Sequence, residues 1–342
     1  MSAVSRRRFL SGALAAGGAA VGRGGAACAT SEMPEVVTAV QQQAAKPFVV
    51  DVHVHMNDPG ARNNPELWER SKILYEGFQY VYDGKWQQHR RPERSFQSLQ
   101  DLLAQMDRGG IDMSLVMATR PDLLQMINDI KSPRLVPIYH PNPTVDEYDN
   151  ARRFETAVKQ YGARGIKFTL PYQHFYPTDS RLMGIYRKAI ELDVPVIFHS
   201  GWTPRDTADL EYGRPIHLDK LGIMFPDLKV NIAHTGIPWW EEALVIVSKH
   251  RNFHSDFSSW CTLPPRYLVH ALDLARHLAG LDRVLFGTEQ NLCDPGEGVQ
   301  QLLNINTVVD QYHVPAFDMQ EIRAILGANA AKLFGLKRPG SA

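Results

Sequence analysis

The sequence predicts a (β/α)8 barrel, and three observations lead to this fold class. Eight short segments rich in Val, Ile and Phe recur along the chain, each ending in polar or small residues. Amphipathic stretches with apolar residues near helical spacing separate them. The 342 residues, 44% of them hydrophobic, suffice for the core of one barrel. The predicted strands are 47–55, 113–119, 135–141, 163–170, 195–201, 228–236, 252–260 and 283–290.

The first strand, "PFVVDVHVH", carries two histidines at its end. Side chains alternate across a strand, so His53 and His55 are predicted to share one face and Val52 and Val54 the other. Two neighbouring imidazoles buried without partners would be costly, and a shared metal ion removes that cost. The stretch alone is equally compatible with two polar residues satisfied by water or backbone groups.

Helices are predicted between the strands, for example at 95–110, 180–193 and 264–280, where apolar residues recur near helical spacing. An open, doubly wound sheet has the same alternation of strands and helices. However, no glycine-rich phosphate-binding turn follows the first strand. The barrel is therefore the preferred architecture.

The first 29 residues have the layout of a signal peptide. The sequence "SRRRFL" (5–10) precedes an apolar stretch of small residues, and paired arginines before Phe and Leu are typical of the twin-arginine type. We expect residues 1–29 to be this signal, 30–46 a linker and 47–338 the barrel. The protein is then predicted to be exported by the twin-arginine machinery to the periplasm or cell envelope.

Composition limits the classes of partner. Lys plus Arg equal Asp plus Glu at 37 each, so no basic excess indicates nucleic acid. The apolar part of the leader is too short and glycine-rich for a stable membrane span. Beyond the leader only Cys261 and Cys293 remain, and whether they pair depends on a Cα separation that a sequence does not contain. The expected partners are a small-molecule substrate and the export machinery, with a homo-oligomer left open.

One long insertion interrupts the alternation. Residues 56–95 separate the first strand from its helix and are rich in Trp, Tyr and Phe. Long loops inside compact domains are usually functional or disordered, and the aromatic content argues against disorder. Because the insertion follows the carboxyl end of a strand, we expect a lid or a wall of the substrate site.

Polar side chains stand at the ends of several predicted strands. In a barrel these ends meet on one face, which holds the active sites of such proteins. A single histidine there is more often a satisfied core residue, but a group of histidines with a carboxylate favours a metal site. The residues concerned are His53, His55, Lys167, His199, His234 and Glu289.

Several motifs in chain order resemble one family. "DVHVH", "GIKFTLPYQHFYPTDSRL", "VPVIFHSG", "NIAHTGIPWWEEA", "VLFGTEQ" and "ILGANAAKLFGL" are similar to the amidohydrolase-related metal-dependent hydrolases and decarboxylases, of which aminocarboxymuconate semialdehyde decarboxylase is the best-known type. The resemblance spans roughly residues 47–336.

The resemblance implies roles for individual residues. His53, His55 and His199 are implied as metal ligands, and His234 as an acid–base group near the substrate. Glu289 stands where the family normally has aspartate in "FGSD" or "FGTD". The extra methylene reaches about 1.5 Å further, so Glu289 is expected either to bind the metal or to act on water beside it, as a catalytic group.

Zinc is the metal expected at a histidine-rich site, with manganese and iron as alternatives. Such an ion lowers the pKa of bound water toward about 7. In other amidohydrolases a lysine at the end of strand four is carboxylated and bridges two metals. Here we expect Lys167 to be held near the site instead, where it pairs with a carboxylate or contacts substrate. Trp202 and Arg205 follow the fifth strand and are expected to bind substrate, with Arg205 gripping a carboxylate.

These observations lead to three candidate functions. The first is hydrolysis of a lactone, ester or amide, favoured because an exported enzyme more often hydrolyses incoming compounds. The second is non-oxidative decarboxylation of an aromatic or unsaturated acid, which uses nearly the same ligands. The third is an inactive barrel that only binds a ligand, and the retained His234 argues against it.

Overall fold

The computed structural model describes residues 46–55, 98–118, 121–141, 147–203, 208–290 and 292–340. Its centre is one sheet of eight parallel strands in the order β1 to β8. Every predicted strand contains one of them, so the predicted barrel is confirmed. The strands are β1 (Val50–His55), β2 (Met113–Ala118), β3 (Leu135–Tyr139), β4 (Ile166–Phe168), β5 (Val196–His199), β6 (Val230–Ala233), β7 (Phe253–Asp256) and β8 (Val284–Leu285).

The two edges of the sheet meet and nearly close the barrel. The backbone N–H of Val52 in β1 donates a hydrogen bond to the carbonyl of Phe286, just after β8, at 3.1 Å. Two residues after Phe286, the backbone N–H of Thr288 donates a hydrogen bond to Asp51 at 3.0 Å. These contacts carry the last strand back to the first and bring the segment after β8 beside β1.

Helices alternate with the strands. The first of them begins after Ser98, whose hydroxyl accepts from the N–H of Asp101, and ends before Gly110 in the left-handed region at φ 72°. A short π-helix, Ala324–Ala328, joins the last two. The α-helices are α1 (Leu99–Gly109), α2 (Pro121–Ile130), α3 (Glu147–Tyr161), α4 (Leu170–Gln173), α5 (Met183–Glu191), α6 (His217–Met224), α7 (Trp240–Lys249), α8 (Pro265–Leu278), α9 (Pro295–Leu303), α10 (Met319–Arg323) and α11 (Asn329–Phe334).

Apolar side chains form two buried layers. The outer layer packs the strands against the surrounding helices. The inner layer fills the barrel and is joined by Ala330, Leu333 and Phe334 of α11, which close its floor. The strand residues of the inner layer are Val50, Val52, Met113, Leu115, Met117, Val136, Ile138, Ile197, Ala233 and Leu285.

A register shift in β1 places the two histidines. Val50 pairs with Met113 and His55 pairs with Met117, but the register changes between Asp51 and Val54. Val52 consequently belongs to the inner layer and Val54 to the outer one, so the prediction that these two valines share a face is wrong. Before the irregularity, the inward side chains of β1 are apolar. After it, His55 pairs with Met117, a residue of the inner layer, and therefore points inward as well.

The two cysteines beyond the leader lie close together. Cys261 and Cys293 form a disulfide with a Cα–Cα distance of 6.1 Å, which answers the question of their pairing. Among the described residues, no helix is long and apolar enough to cross a membrane. The predicted signal peptide, most of the linker, the insertion at 56–95 and Arg205 lie outside the described residues.

Candidate metal centre

Polar side chains gather at the carboxyl ends of the strands. His55 and His199 end β1 and β5, and Lys167 lies in β4. His234 follows β6 directly, and Glu289 follows β8 after a short turn. The barrel therefore brings the residues singled out by the sequence to one face, as its topology requires.

Three of these side chains converge most closely. The Nε2 atoms of His53 and His55 are 3.1 Å apart. Glu289 Oε2 lies 3.1 Å from His53 Nε2, and Glu289 Oε1 lies 3.5 Å from His55 Nε2. Two imidazole nitrogens and a carboxylate thus face one small volume, which is a donor set that a divalent cation accepts.

Backbone contacts hold Glu289 in this place. Its φ of 52° is in the left-handed region, and its N–H donates to the carbonyl of His53 at 3.0 Å. Just before it, the hydroxyl of Thr288 donates to Asp51 at 2.5 Å, and Asp51 also accepts from the His53 N–H at 3.1 Å. Burial raises the pKa of Asp51 to about 6, against these hydrogen bonds, which lower it.

His234 and His199 lie beside the converging atoms. His234 Nε2 is 3.8 Å from Glu289 Oε2 and 3.2 Å from His199 Nδ1. The rings of His53 and His234 have centroids 4.6 Å apart. His199 therefore contacts the cluster through His234, one step from the atoms that converge on Glu289.

Lys167 lies beside the same group of histidines, and its side chain is completely buried. Its Nζ is 3.2 Å from His53 Nε2. Burial lowers the pKa of Lys167 to about 8, while the charges of Asp256 and Glu289 oppose that shift. The lysine is thus placed against a histidine and near two carboxylates.

Asp256 and Ser258 were not identified from the sequence. Asp256, at the end of β7, is fully buried and accepts from Asn231 Nδ2 at 2.6 Å and from the His234 N–H at 3.1 Å. Ser258 Oγ lies 2.8 Å from His234 Nδ1 and 3.3 Å from His53 Nδ1, and it donates to Asp256. The available signal was the polar run "SDFSS" at a strand end.

Asp256 is ionised despite its burial. Burial acts to raise its pKa, but the hydrogen bond with His53, the Ser258 hydroxyl and the Lys167 ammonium hold that pKa well below its usual value. His53, His234 and Asp256 form a second group of close ligand atoms. However, Asp256 approaches His53 at Nδ1, 3.6 Å away, which is the side of the ring opposite the Nε2 atom that faces Glu289.

The residues present fit a divalent cation at the volume between His53, His55 and Glu289. Within the described residues, Glu289 Oε2 and His199 Nε2 are buried atoms without a hydrogen-bond partner. Burial, together with neighbouring positive groups, holds the pKa values of His55, His199 and His234 well below their usual range. Neutral imidazoles are the form that binds metal.

Of the residues expected to bind substrate, Trp202 is half-buried after β5 and its N–H donates to the carbonyl of Ile237 at 2.6 Å. This bond joins the segments that follow His199 and His234. A residue missed by the sequence lies nearby, because the Tyr172 ring is 5.6 Å from the His199 ring and its hydroxyl is hydrogen-bonded to Thr203.

Comparison with families and curated proteins places the chain in context. A family model described as Amidohydrolase matches residues 50–336, which is most of the chain. No curated protein was found to match it.

Solved structures share the fold at low identity. 5-Carboxyvanillate decarboxylase of Sphingomonas paucimobilis has a TM-score of 0.60 and 17% identity, over 85% of this chain and 99% of that one. Dihydroxybenzoic acid decarboxylase of Polaromonas sp. JS666, with bound manganese and 2-nitroresorcinol, has a TM-score of 0.54 and 17% identity, over 84% of this chain and 97% of that one. A probable 2-pyrone-4,6-dicarboxylic acid hydrolase of Acinetobacter baumannii has a TM-score of 0.55 and 14% identity, over 84% of this chain and 99% of that one. These similarities support the barrel fold.

Proposed function

The chain belongs to the amidohydrolase family, and on that premise we propose that it is a metal-dependent hydrolase of a small lactone, ester or amide. The observation that carries the proposal is the position of His234. Its Nε2 lies 3.8 Å from Glu289 Oε2, beside the converging ligand atoms. A group able to take and return a proton therefore adjoins the candidate metal centre.

His53, His55 and Glu289, whose atoms converge, are proposed to hold the ion, and His199 is proposed as a further ligand through its Nε2, which has no hydrogen-bond partner among the described residues. When bound, a divalent cation polarises a carbonyl group and lowers the pKa of water. Zinc suits the histidine-rich donor set, and the manganese in the Polaromonas structure makes that metal an equal candidate.

The protein's own groups account for proton transfer. Burial, together with positive groups around it, holds the pKa of His234 well below its usual value, so the uncharged ring is the favoured form. A neutral imidazole accepts a proton from the attacking water and then donates it to the leaving group. Glu289, which touches both His53 and His55, fixes the position of these rings and is the second group able to move a proton.

Decarboxylation of an aromatic or unsaturated acid is the second candidate. It is favoured by the structural neighbours described as decarboxylases of aromatic acids. That reaction requires a group that donates a proton to carbon, whereas hydrolysis begins with a group that accepts one. Hydrolysis is kept as the first choice because the chain is predicted to be exported, and an exported enzyme more often hydrolyses incoming compounds.

Substrate contacts are proposed for residues around the centre. Lys167 faces His53 Nε2 and supplies a positive charge for a carboxylate or carbonyl oxygen. Trp202 and Arg205 are proposed as substrate residues because they come shortly after His199 in the sequence, three and six residues beyond the end of β5. Tyr172 joins them, because its ring lies beside that of His199.

Export by the twin-arginine machinery to the periplasm or envelope remains part of the proposal. The Cys261–Cys293 disulfide supports it, since disulfides persist in oxidising compartments and are rare in the cytosol. Expression of the full chain with "SRRR" changed to "SKKR" should abolish export, as shown by cell fractionation. Unchanged export would contradict the twin-arginine route.

A substrate panel tests the reaction. The protein loaded with Zn²⁺ or Mn²⁺ is incubated with lactones, esters and amides, and separately with aromatic and unsaturated acids. We expect hydrolysis of a carbonyl substrate, lost in His234→Ala with the metal retained. Release of carbon dioxide from an acid without hydrolysis of any carbonyl substrate would establish the second candidate instead. Binding without turnover of either panel would indicate the inactive barrel.

Metal analysis tests the centre independently of turnover. We expect about one equivalent of divalent metal per chain, and its loss in His53→Ala and His55→Ala. His277→Ala removes an exposed histidine on α8 and serves as the control that keeps the metal. A metal-free wild-type protein with full activity would refute the proposal.

A further inference from the structure

We propose that Ser258 is a positioning residue that fixes the tautomers of His53 and His234 together, so that each ring carries its proton on Nδ1. The tautomer assignment rests on hydrogen bonds within the chain. Its meaning for metal binding and proton transfer rests on the proposed function. Ser258 Oγ is within hydrogen-bond distance of the Nδ1 atoms of both rings, and the Asp256 carboxylate lies 3.6 Å from His53 Nδ1 on the same side.

The Asp256 carboxylate determines the direction of the Ser258 hydroxyl. Its Oδ1 accepts hydrogen bonds from the backbone N–H groups of His234 and Ser258, each at 3.1 Å. An oxygen that already receives two N–H groups acts as an acceptor. The hydroxyl of Ser258, which contacts the same oxygen, must therefore donate its single proton to Asp256.

The lone pairs of Ser258 Oγ then face the two rings. A hydroxyl has one donor hydrogen and two acceptor lone pairs, and the hydrogen is already committed to Asp256. The remaining contacts are His234 Nδ1 at 2.8 Å and His53 Nδ1 at 3.3 Å. Both are favourable only if each Nδ1 carries a proton, because two lone pairs facing each other would repel.

The consequence appears on the opposite side of each ring. A neutral imidazole with its proton on Nδ1 has a lone pair on Nε2, and the partner of one nitrogen determines the state of the other. The Nε2 of His53 faces His55, Glu289 and the Lys167 ammonium, which can donate to a lone pair on that nitrogen, and the Nε2 of His234 faces His199 and Glu289. Ser258 thus leaves a lone pair on the Nε2 atom of each ring, facing the candidate metal centre. Asp256 lies on the opposite, Nδ1 side and is not proposed as a ligand.

Nitrogen NMR of the full chain tests the assignment directly. The protein is labelled with ¹⁵N-histidine and measured with Zn²⁺ and after chelation, and resonances are assigned with His53→Gln and His234→Gln. We expect the Nδ1-protonated pattern for both residues in the wild type. A proton on Nε2 of either ring in the chelated wild type would overturn the proposal, whether or not any variant folds.

Substitutions of serine provide a second readout. Ser258→Ala should move one or both rings toward the Nε2-protonated form and weaken Zn²⁺ binding by about 10- to 100-fold in a chelator competition. Ser258→Thr keeps the hydroxyl and should restore the wild-type tautomers. Ser255→Ala is the matched control, since Ser255 is also fully buried in β7 but its Oγ has no hydrogen-bond partner among the described residues.

The two proposals fail in different ways. Wild-type rings protonated on Nδ1 in a chain that binds no metal would contradict the proposed function and leave the role of Ser258 intact. Unchanged tautomers in a folded Ser258→Ala variant would contradict the role of Ser258 and leave the metal centre intact.

Discussion

Glu289 shows how one additional methylene can be accommodated at a site where the resembled family has aspartate. Its backbone turns into the left-handed region, and its N–H is bonded to the carbonyl of His53. From this turn its two oxygens reach His53 and His55 separately. The longer side chain and the turn that carries it therefore fit each other.

Shortening this side chain should weaken the centre. Glu289→Asp withdraws the carboxylate by about 1.5 Å, so it can no longer meet both rings. We expect metal affinity to fall by about 10-fold or more, measured by competition with a chelator, with a parallel loss of kcat/KM. Glu289→Gln keeps the length of the side chain and removes its charge. Comparing it with Glu289→Asp distinguishes the effect of a shorter side chain from the effect of a lost charge. A gain of activity in Glu289→Asp would show that the native glutamate is a lesion.

His254 in β7 provides a second prediction at the residue scale, away from the converging ligands. Burial lowers the pKa of His254 from 6.5 to about 4, and its Nδ1 has no hydrogen-bond partner in the described part of the chain. Below pH 6.5 the unfolded chain therefore binds a proton that the folded protein does not bind until about pH 4. The free energy of unfolding should fall as pH decreases across this window, by up to about 3 kcal/mol from this group.

Denaturant titrations at several pH values measure this effect. His254→Gln cannot titrate, so its free energy of unfolding should depend less steeply on pH between 6.5 and 4. Other buried histidines contribute to both proteins, and the difference between the two curves isolates His254. Equal slopes in the two proteins would contradict the prediction. His277→Gln, at an exposed histidine, controls for loss of a histidine as such.

At the scale of elements, the loops after the strands decide where the polar groups lie. The turn after β5 passes very close to the one after β6, and Gly201 makes this possible. Its φ is 91°, its N–H donates to Gly213, and a Cβ added there would collide with the carbonyl of Ile237. The close approach connects the segment that bears His199 with the one that bears His234.

Gly201→Ala should therefore be strongly destabilising. Both the left-handed backbone and the collision oppose a side chain, so we expect a loss of about 3 kcal/mol or more in the free energy of unfolding. Gly162→Ala is a matched control, because Gly162 also has a left-handed φ of 68° but no atom lies within 4 Å of its added Cβ. It should lose only about 1–2 kcal/mol. Similar losses in both variants would show that the contact with Ile237 is unimportant.

The strands could be predicted from the sequence because their residues are local and distinctive. Runs such as "VPVIFHSG" combine β-branched residues with a polar end, and barrel topology then requires those ends to meet. His53, His55 and Glu289 are predicted in this way to lie on one face, and their side chains meet there. Their roles as ligands remain a proposal.

Asp256 and Ser258 were beyond this reasoning for a physical reason. Their importance depends on which nitrogen of each ring they approach, and ring orientation follows from three-dimensional packing. The register shift in β1 was equally hidden, since it appears only when β1 pairs with β2. Regular alternation predicted the shared face of the histidines but not the change of face within the strand.

At the scale of the whole molecule, the barrel is divided into an apolar lower part and a polar upper part. The inner apolar layer and α11 fill the floor, whereas the histidines, Lys167 and the carboxylates occupy the strand ends. This division separates residues that stabilise the fold from those available for chemistry. Substitutions of the apolar floor residues should accordingly lower the free energy of unfolding more than they change the metal affinity of the site.

The disulfide should stabilise the molecule as a whole. Cys261 and Cys293 are separated by 32 residues, and a crosslink across such a loop restricts the unfolded chain. We expect the double variant Cys261→Ser and Cys293→Ser to lose about 2–4 kcal/mol in chemical unfolding. Reduction of the wild type should reproduce the loss, and an unchanged unfolding midpoint in both would contradict the prediction.

The contact between α11 and the barrel floor also has a consequence for the timing of synthesis. Ala330, Leu333 and Phe334 pack with Val50 and Val52, although these groups lie at opposite ends of the barrel sequence. The floor of the barrel cannot form until α11 has been synthesised. Until then, the inward-facing apolar side chains of the early strands lack the contacts that α11 supplies. For a chain exported in the folded state, as we propose, completion of translation would thus be the step that makes it competent for transport.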